Sequence, residues 1–292
     1  MKPMHTFSFA AAPRAAHGAF QWRLMLLWAL AMLFPSAILG MTMWNMLGAH
    51  LDYSVRAADI AQQLDMTVLA DLLGMHGKNS MAFNNAAVLS LIVTLLFAPL
   101  LCGMAATAAR ASAVLGFRDL VTGGLVEYLR MFRMMLWSSI PFGIALALGG
   151  AALDAALEHG ATLALESDAN LWRNLAIAAS ALMLALVHAT LDAGRAALAI
   201  DRRRTSAVKA WWSGCRMLAR QPLAGFGVYF LISAIGLALA GALAVGRINV
   251  AGSSTPGFIA ALLLVQLTVM LIGWGRSARL FAMVELARSE RA

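Results

Sequence analysis

Along this chain polar positions disappear for some twenty residues at a time and return in clusters rich in arginine. Six apolar stretches result, running approximately from Leu24 to Gly48, Ala86 to Ala109, Met134 to Leu153, Asn174 to Ile200, Pro222 to Val245 and Gly257 to Val284. Each is near or above the ~20 residues an α-helix needs to cross a bilayer. The pattern predicts an all-α, single-domain bundle of six transmembrane helices over residues 1–292. The first stretch, "LMLLWALAMLFPSAILGMTMW", is longer than the apolar core of a signal peptide and ends in no convincing small-residue cleavage site, so it reads as a retained helix.

Composition agrees. The chain is 61% hydrophobic and 12% charged, against about 45–50% apolar and about 25% charged residues in soluble domains. The net charge of +8 raises nucleic acid as a partner, but no basic run is interleaved with stacking aromatics. The distribution points instead to a bilayer. Three Lys or Arg fall in Met1–Arg23, four in 110–133, seven in 195–220 and four in the C-terminal tail, which makes 18 of 22 on alternate connections. The other side holds only Arg56, Lys78, Arg173 and Arg247, with most of the acids. The positive-inside rule then puts both termini in the cytoplasm.

The basic connections look related. The arms "RAAHGAFQWRLMLLW", "FRDLVTGGLVEYLRMFRMMLW" and "TSAVKAWWSGCRMLARQPLAG" each precede a hairpin closed by "CGMAATAAR", "AGRAALAIDRRR" or "WGRSARLFAMVELAR". This predicts three arm-plus-hairpin repeats, with Gly103, Gly194 and Gly275 at comparable depth. In the third arm Val208, Trp211, Trp212, Cys215 and Leu218 recur at helical spacing, with Arg204, Lys209, Arg216 and Arg220 largely elsewhere. Such a helix lies in the headgroup layer, so Arg204, Lys209, Trp211, Trp212, Arg216 and Arg220 are the expected contacts with the bilayer and its anionic headgroups. Val55, Leu64, Val68, Leu72 and Leu73 could form a similar surface helix in the 49–83 loop. Gly143 with Ala147, and Gly236 with Ala240, make small-xxx-small faces suited to close helix packing.

Chemistry is sparse. Gly-rich phosphate loops, HExxH and GxSxG are absent, and Cys102 and Cys215 form no CxxC. The expectation is no catalytic residue, no metal and no cofactor. The exception is "LVHATLDAGRAALAIDRRR", residues 186–204, which carries His188, Asp192 and Arg195. Ionisable residues inside a span are functional candidates by default. Asp192 lies eighteen residues past Asn174, about 27 Å at ~1.5 Å per residue, close to the ~30 Å hydrocarbon thickness. At that boundary it reads as a water-contacting exit pair with Arg195, with His188 packing one turn deeper. A proton or anion site is the alternative. Gln266 in the sixth span reads as an interhelical hydrogen bond.

The stretches "LDAGRAALAIDRRRTSAVKAWW" and "VQLTVMLIGWGRSARLF", with six spans and basic arms, resemble a group of bacterial inner-membrane proteins. Some of that group are described as the membrane domain of glycerophosphodiester phosphodiesterases. The resemblance implies a bacterial inner membrane and this topology. It implies no activity, because the His-Arg-Gly motif of the soluble catalytic domain is missing. The expected role is therefore that of a non-catalytic accessory or scaffold in membrane organisation or envelope assembly. The alternative is a transporter or lipid-handling carrier with a cavity between repeats.

Overall fold

The computed structural model describes residues 11–51, 53, 55, 78–163, 165–250 and 255–289, and has no strand among them. The helices are α1 (Ala11–Gly18), α2 (Trp22–Leu51), α3 (Lys78–Arg110), α4 (Phe117–Ala161), α5 (Glu166–Ile200), α6 (Ala207–Arg220), α7 (Pro222–Ile248) and α8 (Thr255–Ser289). All but α1 and α6 are long and apolar enough to span a membrane. Only 11–28% of each apolar window is buried inside the bundle. The remaining Leu, Ile, Val and Phe form an outer surface far larger than the few hundred Å² of apolar patch a soluble monomer tolerates. This is a multi-pass helical membrane protein.

The apolar stretches are the middles of longer helices. α4 is unbroken for 45 residues, about 68 Å at ~1.5 Å per residue. The arm expected before the third span is the first part of that same helix and not a separate interfacial one. No proline precedes Pro141 there, so nothing stops the helix from continuing. The third arm differs because Pro222 opens α7 and Gln221 leaves helical geometry, with φ −133° and ψ 62°. Its α6 is a distinct helix, and the Ser206 hydroxyl caps it by accepting from the Lys209 N–H at 3.4 Å. The face expected in the 49–83 loop lies outside the described residues, apart from exposed Val55.

The main core sits where the basic residues gather. It is built from the last turns of α3 (Leu101, Met104, Ala105), α5 (Leu191, Ala196, Leu198) and α8 (Met283, Val284, Leu286), with α2, α4 and α6 around them. Two close helix crossings depend on glycine. A Cβ on Gly103 would lie 2.8 Å from the Gly124 carbonyl oxygen, and one on Gly214 would lie 2.5 Å from the Gly194 nitrogen. These crossings hold α4 on α3 and α6 on α5. The first arm is held otherwise: Ala15 of α1 and Ala19 just past its end pack on Ala278 and Ala282 of α8, and the Trp274 indole donates to the Ala16 carbonyl at 3.0 Å. Gly143 and Gly236 have open space beside them, so their small-residue faces make no crossing within this bundle. The motif states that a helix can be approached closely; its neighbours decide which face turns inward.

Arginines close the helix ends at the core. The last carbonyls of a helix have no partner within it and carry the negative end of its dipole. Arg288 of α8 donates to Ala109 of α3 at 3.2 Å, and Arg110 of α3 donates to Ala199 of α5 at 3.0 Å. Arg130 of α4 donates to the Leu198 and Asp201 carbonyls at 2.7 and 2.6 Å.

Candidate functional site

His188, Asp192 and Arg195 fall at i, i+4 and i+7 of α5, on one face of the helix. Asp192 does not contact water as an exit pair would, because its residue exposure is 6%. Its Oδ1 accepts from Arg195 Nη1 at 2.6 Å, and its Oδ2 accepts from Arg279 Nε of α8 at 3.3 Å. Burial here comes from α7 and α8 closing over the helix, which distance along α5 alone does not register. Arg279 also donates to the Ser233 hydroxyl at 3.3 Å and stacks on the Tyr229 ring at 5.4 Å. The Tyr229 hydroxyl lies 2.9 Å from His188 Nδ1, and His188 Nδ1 is 3.4 Å from Asp192 Oδ2. The trio is thus half of a network joining α5, α7 and α8.

One side of this network borders a partly enclosed cavity of about 210 Å³. Trp28 of α2, Leu95 and Pro99 of α3, Met131 and Phe142 of α4, and Leu280 of α8 supply apolar walls. His188, Asp192, Arg195 and Arg276, with the hydroxyls of Ser138 and Ser277, supply the polar part. Arg276 stands over the Trp28 ring at 5.8 Å. Among the described residues no carboxylate pairs with it. The site therefore combines one carboxylate with three guanidiniums, counting Arg279 behind it. No family model, curated protein or solved structure matches this chain. Function has to be argued from the site.

The arrangement holds charge in an apolar setting. Asp192 is engaged by two arginines, and among the described residues no three His, Cys, Asp or Glu side chains gather to hold a metal ion. Gln266, half-buried on α8 and thirteen residues before Arg279, is outside the network.

The third-arm residues expected to face the headgroups divide. Lys209, Trp212, Arg216 and Arg220 are exposed. Trp211 instead donates its indole N–H to Thr190 at 3.0 Å and packs edge-on to Trp137. Arg204 pairs with Asp201 at 3.6 Å, and its carbonyl accepts from Arg130. Both contact protein; α6 turns Ala207, Ala210, Gly214 and Met217 onto the bundle and carries Trp211 with them. Cys215 is partly covered, and burial pushes its thiol pKa up from the ordinary value.

A second buried carboxylate escaped the sequence reading. Glu127 of α4 is 1% exposed, lies 2.8 Å from Arg110 and pairs closely with Arg130. It neutralises two of the arginines that cap α5. The available signal was Glu127 and Arg130 at i, i+3 in "GLVEYLR", but reading 110–133 as a loop made that spacing uninformative.

Proposed function

We propose that this is a non-catalytic multi-pass protein of the bacterial inner membrane that handles a lipid, holding its polar end in the cavity beside Asp192. The observation that carries this reading is the cavity itself: buried charge on one side and apolar wall on the other. A purely structural ion pair needs no empty space next to it. The accessory or scaffold role is the second reading, favoured by Val208 and Trp212 left exposed on α6. Native mass spectrometry of the gently solubilised protein separates the two. Lipid handling predicts one lipid species retained per chain without a stoichiometric partner. A stoichiometric partner with no lipid would transfer support to the accessory role.

The inner-membrane placement rests on the resemblance, and the cytoplasmic termini on the bias of 18 basic residues in 22. Alkaline phosphatase fused after Ala292 is expected to be inactive, and the same enzyme inserted near Asp65 active. The reverse pair would overturn the orientation, and two like outcomes would overturn the alternation of spans.

A further inference from the structure

We infer that the cavity recognises a phosphate headgroup, and that Arg276 and Arg195 are the residues that receive it. This rests on the lipid-handling reading and narrows it to a chemical class. The first argument is charge. Asp192 is shared between Arg195 and Arg279, so one negative charge faces three positive ones. Among the described residues Arg276 has the Trp28 ring as its one partner, and it adds its charge at the cavity. An entering anion completes the balance, whereas a cationic headgroup would worsen it.

The second argument is donor geometry. A guanidinium presents five N–H donors in a planar fork that matches phosphate oxygens two at a time. Arg195 commits Nη1 to Asp192, and no other hydrogen bond from its fork is formed among the described residues. Arg276 commits none. Two arginines on facing helices, α5 and α8, therefore hold free donors toward one space. In "GRSAR" Arg276 stands three residues before Arg279, so one turn of α8 presents both cations.

Size and surroundings select the source of the phosphate. The cavity of about 210 Å³ is smaller than the ~300 Å³ at which ligand pockets usually begin. It takes a headgroup and leaves the acyl chains outside. Leu95 lines the cavity and is also 43% exposed on the outer face of the bundle. The rim is thus continuous with the lipid-facing surface, and a tail leaving the cavity there stays in hydrocarbon.

Cys102 lies in the cavity wall, and Cys215 is the chain's only other thiol. In the full-length Cys215→Ser protein in maltoside detergent, the rate of Cys102 alkylation by N-ethylmaleimide reports occupancy. Bound mass per chain in native mass spectrometry is a second readout that does not depend on thiol reactivity. Dodecyl phosphate is expected to bind and to slow alkylation. Dodecanol, dodecyltrimethylammonium and inorganic phosphate at the same concentration are expected to do neither. Arg276→Gln is expected to weaken dodecyl phosphate roughly tenfold, the scale of one lost charge-assisted contact, with Arg276→Lys between the two. Arg276 is exposed and pairs with no acid among the described residues, so its replacement is expected to leave the fold intact. Equal binding of dodecanol or dodecyltrimethylammonium would overturn phosphate recognition while leaving lipid handling standing. Equal binding of inorganic phosphate would overturn the lipid source. No binding of any amphiphile, together with no retained native lipid, would overturn both readings.

Discussion

Asp192→Asn is expected to destabilise the protein by on the order of 3–5 kcal/mol, the loss seen when one partner of a buried ion pair is removed. Asparagine has nearly the same shape, so packing is preserved and only charge and acceptor strength are lost. Arg195 and Arg279 would then remain, with side-chain exposures of 15% and 14%, without a counter-charge. An exposed pair at the membrane boundary would show only about 0–1 kcal/mol. The two accounts therefore differ by several-fold in one variant. The readout is the inactivation half-life on heating in detergent, since membrane proteins seldom unfold reversibly and a rate is then the usable measure. Arg195→Gln in the Asp192→Asn background should recover part of the loss, because the stranded cation goes with it. A half-life for Asp192→Asn equal to that of wild type would contradict the buried network.

Glu127→Gln is expected to cost a similar amount, on the order of 3–5 kcal/mol, for the same reason. Its local consequence is different. Arg130 reaches the end of α5 while paired to Glu127, and it donates to the carbonyls of Leu198, Asp201 and Arg204. Without the carboxylate the guanidinium loses its anchor, and the last turn of α5 loses its cap. Amide exchange should therefore accelerate over residues 198–206 ahead of the rest of α5. Unchanged exchange there would show that Arg130 holds the helix end unaided.

The six spans were legible because each is a single run of apolar residues, which one window of sequence contains. The ends of the helices were not. Hydropathy marks the part of a helix that meets hydrocarbon, so α4 was seen only as 134–153 although it runs from Phe117 to Ala161. The network around Asp192 was half legible for a related reason. His188 and Arg195 lie within a turn or two of Asp192, whereas Tyr229 and Arg279 arrive from 41 and 87 residues away, counted from His188 and Asp192 respectively. Spacing along one helix carries no information about what a distant helix brings.

The arginines carried two messages, and only one was readable. Their distribution along the chain predicts an orientation. Arg110, Arg130 and Arg288 also cap the carbonyls of other helices, through contacts that span 89, 68 and 179 residues. Glycines behaved alike. "GxxxA" spacing marked Gly143 and Gly236, which face open space, while Gly124 and Gly214 make the crossings. What separates them is the neighbour each one meets, and that is a property of the assembled bundle.

The central claim is that the cavity beside Asp192 is where a lipid is held, and filling that space tests it most directly. Ala98 lies half-buried in the cavity wall, so Ala98→Phe puts an aromatic ring where the headgroup is expected. The measurement is lipid retained per chain, by native mass spectrometry, in wild-type and Ala98→Phe protein of matched heat stability. The account predicts one lipid per wild-type chain and little or none in the filled variant. Full retention of the same lipid by Ala98→Phe would contradict it.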